Sequence, residues 1–371
     1  MRWSRIIGVL LMLGGSGIAR CLQAQQHTLV GVHGQLQLVS QPPIPLTGVL
    51  IGDPHQVLAH PTRALFLVSD RQPPGLYIFS EQGQLLHRIG FRGEGPGEFM
   101  APPQITVWGD TLLLRGGLRN RVAAYRISDG RLLRDPFIPT LPAALQHWLL
   151  YRQQLILYWT SRRRPALVEV FDLKSQQFTH ALTLPALTEA HETLLGYYAS
   201  GGLTLLGDSL VLATPADTPT IYYLDLRTGE QGVWRKLEDA DFQVRPPPDL
   251  EDLLRQGKWK AYREQWVGYL TTNSRTRGLF VLQHRYLVVQ LEHGQGQEKR
   301  WLRLIVLDPA TRQEIDRITF PLALRQQYNL HYSSFATARG ACLYLERFLE
   351  EEDHWALWPW CLEPVPSRGT P

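Results

Sequence analysis

The sequence has almost no net charge once its first residues are set aside. Its 371 residues hold 38 basic and 34 acidic side chains, and Arg2, Arg5 and Arg20 fall within the first 24, leaving 35 against 34. So even a balance offers nothing to a nucleic acid. Only five of the basic residues are lysine (Lys174, Lys236, Lys258, Lys260 and Lys299), a scarcity with no functional reading. Metal-ligand spacing is missing as well. The 12 histidines form no i, i+4 pair on a helix; His55 and His60 stand five apart in an expected loop, and His331 is isolated. Asparagine is reduced to Asn120, Asn273 and Asn329. No metal or cofactor is therefore expected, although scattered Glu, Asn and Asp ligands of a divalent cation would leave no motif. After residue 24 no apolar stretch is long enough for a membrane-spanning helix.

The first 24 residues read as an export leader. Arg2 and Arg5 precede the apolar run Ile6–Leu13, and Leu22-Gln23-Ala24 offers a cleavage site. A rival reading makes Cys21 a lipoprotein anchor, the one route by which the chain would meet a membrane; Arg20 fits that poorly. Either way the product is exported, periplasmic or secreted. Cleavage after Ala24 leaves Cys342 and Cys361 as the remaining cysteines, and an oxidising compartment makes a disulfide one option. Two separate buried thiols are the other.

What the chain does contain is a period. Apolar strand, polar turn and second strand recur as Leu58–Asp70, Ile105–Gly116, His147–Trp159, Leu203–Ala213, Leu279–Gln290 and Phe335–Glu346. The second strands start at Leu65, Leu112, Leu155, Leu210, Leu287 and Leu343, separated by 47, 43, 55, 77 and 56 residues. Third strands follow at Leu76–Phe79, Val122–Arg126, Leu167–Phe171, Ile221–Leu224, Leu302–Leu307 and Trp355–Trp358, most leading through a Gly- or Asp-bearing turn into a fourth. Four strands repeated six times predict an all-β fold, a six-bladed β-propeller over residues 25–371. The last blade runs out of chain. Thr28–Val39 has strand character, and we expect it to supply the missing outer strand.

The interval of 77 residues holds an insertion over residues 236–276. After Pro246-Pro247-Pro248, Asp249 can cap a helix reaching Leu270, which Gly257 would break in two. Trp259, Tyr262, Trp266 and Tyr269 follow at helical spacing. The insertion reads either as a surface decoration or as a lid over the channel mouth.

Gly93–Pro103 and the segment after it resemble the NHL-type unit of six-bladed propellers. The matching residues are Gly93, Gly95, Phe99, Pro102, Asn120, Arg121 and Asp129-Gly130, with Gly97 as an additional glycine. The likeness is close over Gly93–Pro139 and reduces to strand rhythm across the rest of 28–362. The chain also resembles exported TolB-like propellers of bacteria, many of which have no assigned activity. Beside this, Phe99 is expected to plug between blades. Arg121 either braces them or meets a ligand.

Motifs that suggest chemistry reduce to turns. Gly207-Asp208-Ser209-Leu210 spells an esterase signature, but it occupies the same hairpin position as Gly109-Asp110-Thr111-Leu112. Gly93–Gly97 lacks the Lys-Ser/Thr of a phosphate loop. Arg162–Arg164 reads as a solvated loop or an anion contact, Glu350–Asp353 as a solvated turn. Trp355, Trp358 and Trp360 read as core or as a sugar-stacking platform. The expected function is a non-catalytic binding or protein-interaction module of the cell envelope, monomeric, meeting a protein or small molecule. The connection face would offer Asp70, Arg71, Arg92, Glu94, Arg119, Arg163, Trp259 and Trp266. The alternative is a lactonase-like hydrolase or lyase working in the channel with a divalent metal.

Overall fold

The computed structural model describes residues 26–116, 121–138, 145–159, 164, 166–184, 188–195, 201–294, 300–320, 335–349 and 353–366. Three short strands come first, β1 (Thr28–Val30), β2 (Leu36–Ser40) and β3 (Ile44–Pro45). Blade 1 follows as β4 (Pro54–Ala59), β5 (Leu65–Arg71), β6 (Pro74–Ser80) and β7 (Leu85–Ile89). Blade 2 is β8 (Gln104–Trp108), β9 (Thr111–Gly116), β10 (Arg121–Arg126) and β11 (Leu132–Ile138). Blade 3 is β12 (Leu145–Tyr151), β13 (Gln154–Trp159), β14 (Ala166–Asp172) and β15 (Gln177–Thr183). Helix α1 (Glu189–Leu195) leads into blade 4, β16 (Gly202–Leu206), β17 (Leu210–Thr214), β18 (Thr220–Asp225) and β19 (Gln231–Lys236). Helices α2 (Glu251–Arg255) and α3 (Trp259–Thr272) precede blade 5, β20 (Arg275–Leu282), β21 (Tyr286–Gly294), β22 (Arg300–Leu307) and β23 (Glu314–Phe320). Blade 6 holds β24 (Thr337–Arg339), β25 (Cys342–Leu349) and β26 (His354–Pro364).

Each blade is an antiparallel sheet, and the expected six blades stand. Every second strand begins at the expected leucine or one residue before it, because an apolar residue after a tight turn is the first that can enter a buried sheet face. In an antiparallel four-strand blade, the connection between strands two and three shares a face with the link to the next blade. That connection face carries α1, α2 and α3.

Among the described residues the apolar side chains gather in six clusters, one between each pair of neighbouring blades, rather than in a single core. Leu67, Ile78 and Ile89 of blade 1 meet Ile105, Leu112 and Leu114 of blade 2, with Phe99 fully buried among them. Val57, Phe66 and Val68 of blade 1 likewise meet Tyr344, Trp355 and Leu357 of blade 6, so the ring has no open sector. Side chains also bridge blades. Gln56 exchanges two hydrogen bonds with the Ile105 backbone, at 2.8 and 3.1 Å. The Thr337 hydroxyl accepts from Ala59 N at 2.9 Å, and that of Thr106 from Leu150 N at 2.9 Å.

The N-terminal segment is a hairpin rather than the single strand expected over Thr28–Val39. Leu29 pairs with Leu38, and β2 in turn lies antiparallel beside β26, with Leu38 opposite Leu362. The turn between them is clipped to blade 5. The Asp316 carboxylate accepts the N–H groups of His33, Gln35 and Leu36 at 2.8–2.9 Å. A Cβ on Gly31 would lie 2.2 Å from that carboxyl group, so only glycine fits there.

The insertion folds as two helices separated at Gly257, whose φ of +66° is the left-handed conformation that ends α2. The N-cap of α2 is Leu250 rather than the expected Asp249, which lies one residue earlier and accepts the Glu251 N–H at 3.1 Å. Helix α1 had no counterpart in the sequence reading: seven residues inside a connection are too short for a periodic signal. Among the described residues no helix is long and apolar enough to cross a membrane.

Candidate functional site

Asp70 and Arg71 end β5 on the connection face, but they behave differently. Asp70 is fully buried, and its oxygens accept the N–H groups of Gly52, Asp53 and Gln72 at 2.8–3.0 Å. It holds the chain entering blade 1. Arg71 points elsewhere: Nη1 donates to Asp53 at 3.1 and 3.2 Å, and Nη2 to His55 Nδ1 at 3.1 Å. His55 lies on β4 rather than in the expected loop. Burial, with Arg71 adding and Asp53 opposing, pulls its pKa down to about 4, so the imidazole is neutral and its Nδ1 free to accept.

Glu346 completes this group from blade 6. Its place is legible by superposing the repeats. Three positions after the leucine that aligns the second strands stand Val68, Arg115, Tyr158, Ala213, Gln290 and Glu346, all buried. Arg115 donates to Gln104 Oε1 at 2.6 Å, Tyr158 to Thr214 O at 3.1 Å, and Gln290 accepts Phe335 N at 2.8 Å. The Glu346 carboxyl, 9% exposed, accepts no hydrogen bond from a described residue. Burial drives its pKa up to about 7; the Arg71 guanidinium pulls it down and Asp53 pushes it up. Asp53, His55, Arg71 and Glu346 thus form a titratable cluster where the first and last blades meet. Sequence reasoning found Arg71 and missed the others; the repeat alignment was the signal that could have found Glu346.

On the opposite part of the ring, α3 displays an aromatic ladder. Tyr262 and Trp266 stack with ring centroids 6.3 Å apart at 8°, and Trp259 meets Tyr262 edge-on at 6.3 Å. Trp259 is 67% exposed, whereas Trp266 is half-buried against the core between blades 3 and 4. The insertion is held at both ends. Arg303 grips Asp239 at 2.7 and 2.9 Å and Asp241 at 2.8 Å; Asn273 accepts from Arg245 N at 2.6 Å and donates to Tyr269 O at 2.7 Å.

Arg92 and Glu94 are exposed in the link between blades 1 and 2. Arg119 and Arg163 lie outside the described residues, as do Asn120, Asn329, His331 and Glu350–Glu352. Arg121 donates to Gly95 O at 2.5 Å and Glu98 O at 2.9 Å, with Asp135 3.5 Å away, so it braces the glycine-rich link. That link folds on itself, with Gly95 N donating to Glu98 and Gly97 N to Asp135. Arg164 covers the Trp159 ring at 4.0 Å and pairs with Glu169. Ser209 sits in the β16–β17 turn, where its hydroxyl accepts from Arg227 Nε at 3.1 Å. Trp355, Trp358 and Trp360 are buried between blades, which removes them as a stacking platform. Cys342 and Cys361 face each other across β25 and β26 and are joined by a disulfide. Among the described residues no three His, Cys, Asp or Glu side chains are grouped to hold a metal ion.

Residues 47–164 match a family described as a six-bladed β-propeller. No curated protein matches the sequence. Among solved structures, a Bacteroides fragilis protein whose export is inferred is similar at 16% identity, with a TM-score of 0.60 over 91% of this chain and 98% of that one. A member of the DUF4221 family from Bacteroides vulgatus is similar at 10% identity, TM-score 0.60, over 89% and 99%. At such identities the likeness is one of fold. The chain is a six-bladed β-propeller whose first blades are similar to that family.

Proposed function

We propose that this chain is an exported, monomeric, non-catalytic binding module that meets a protein or small-molecule ligand on its connection face, without a cofactor. Export is inferred from the leader pattern of Arg2, Arg5 and Ile6–Leu13. One observation carries the binding reading: a firmly rooted helix presents Trp259 to solvent at 67% exposure within an aromatic ladder. Large aromatic side chains held rigid and solvent-facing are favoured binding anchors, since little conformational freedom is lost on contact. Glycan and peptide arrays probed with the mature chain test this. Binding that disappears in Trp259→Ala, with an unchanged melting temperature, is expected. Array ligands that bind the variant as well as the parent would overturn it.

A second reading, a hydrolase or lyase, draws on Glu346. A nearly buried carboxyl with a pKa of about 7 is poised to exchange a proton at neutral pH, and Arg71 and neutral His55 stand beside it. Stoichiometric calcium or zinc in the purified protein, or turnover lost in Glu346→Gln, would favour the enzyme.

A further inference from the structure

A third group of polar side chains belongs to neither feature. Asp217 lies in the β17–β18 connection with its side chain 13% exposed. The Thr188 hydroxyl donates to it. Among the described residues no arginine or lysine pairs with it. His191 Nδ1 is 3.9 Å away but already accepts the Ala216 N–H at 3.0 Å, and burial lowers its pKa, so it brings no positive charge. The Asp217 carboxylate is thus partly open to solvent and has no counter-ion among the described residues.

Tyr158 and Tyr269 share a core cluster with Ala216, the chain neighbour of Asp217, and Tyr222 packs against that cluster. Asp217 raises the pKa of Tyr158, Tyr222 and Tyr269, in each case after burial itself. The Tyr269 hydroxyl, on α3, is the telling one. It is buried, in a residue 7% exposed, and has no hydrogen-bond partner among the described residues. Buried hydroxyls are almost always satisfied, so this orphan marks a missing partner. Trp266 and Tyr222 pack against the same core cluster and supply aromatic surface.

We propose that the region bounded by α1, α3 and the β17–β18 connection receives a primary ammonium group, with Asp217 as its counter-charge and the Tyr269 hydroxyl as an acceptor. An ammonium has three donors and no acceptor, which suits a carboxylate and neutral phenol oxygens. Aromatic neighbours favour an organic cation further. A metal ion would call for more ligating side chains, and no grouping of three is present among the described residues. The inference rests on the binding reading above and names the ligand chemistry for the root of the same helix.

The test is titration calorimetry of the mature protein with butylamine and D-glucosamine, each beside its uncharged counterpart, butanol or D-glucose. We expect the amines alone to bind. Asp217→Asn should weaken them at least about tenfold, the size expected for removing one partner of a buried charge pair. Tyr269→Phe should weaken them severalfold with an undiminished melting temperature, since its hydroxyl has no partner to lose. Equal binding of the neutral counterparts, no amine binding, unaltered affinity in both variants, or calcium taken up by Asp217 instead would each overturn the proposal. Should the amines fail while Trp259→Ala still abolishes array binding, this inference alone falls. Array binding insensitive to Trp259, with amines still bound, would sink the earlier reading alone.

Discussion

Glu346→Gln should flatten the upper part of the protein's pH–stability curve. The carboxyl has a pKa of about 7 in the folded chain and 4.5 in the ordinary state. Below pH 4.5 it is protonated whether the chain is folded or not, and it has no effect. As pH rises from there, the unfolded chain releases its proton while the folded chain keeps it, so folding becomes progressively less favourable. The loss is complete above about pH 7. The difference of two and a half units, at about 1.4 kcal/mol each, amounts to about 3 kcal/mol. That is a large part of a typical folding free energy of roughly 5–15 kcal/mol. Glutamine has nearly the shape of the protonated acid and does not titrate. Urea unfolding of both proteins between pH 4 and 8.5, followed by tryptophan fluorescence, gives the comparison. The variant's advantage should grow by about 3 kcal/mol from pH 4.5 to 7.5. His55 acts in the reverse sense. Its pKa is lowered to about 4, so its contribution is lost as pH falls from 6.5, and both proteins share it. A difference between the two that is constant with pH would refute the argument.

Asp316→Ala strips three N–H groups of the N-terminal turn of their acceptor. A cost of about 3 kcal/mol is expected, with faster hydrogen exchange confined first to residues 28–40. Replacing Cys342 and Cys361 together by serine should cost about 3 kcal/mol, the value for a loop of this length, read as a lower urea midpoint. Arg121→Met should destabilise by roughly 2 kcal/mol by leaving Glu98 O without its donor and Gly95 O with the Glu98 N–H alone, measured by urea unfolding, while leaving array binding intact.

The blades were legible because each repeats one physical instruction: leucine after a polar turn enters a sheet that is covered on both faces. Phe99 and Arg121 were legible because the glycines around them fix the path of the link. Helix α1 was not, being too brief to show a period. Asp70 illustrates why site residues resist this kind of reading. A carboxylate beside an arginine at a strand end suggests a ligand contact, yet three nearby N–H groups claim it, and no pattern in sequence reports that. Glu346 was hidden for the opposite reason. Its neighbours in the chain are ordinary strand residues, and only contact with blade 1 gives it an unusual environment. Tyr269 joins the core cluster of Ala216 through the insertion, across a sequence interval that carries no pairing signal.

The β2–β26 pairing has a consequence for how the protein is made. Leu38 meets Leu362, so a strand synthesised early waits for one far downstream. Five blades can form in order as the polypeptide emerges, each from local hairpins. The sixth is barred until β26 has emerged, and contacts so distant in sequence form slowly. In that interval β2 and the exposed flanks of blades 1 and 5 are unguarded, and that window, more than the finished ring, is where aggregation or proteolysis would find this protein.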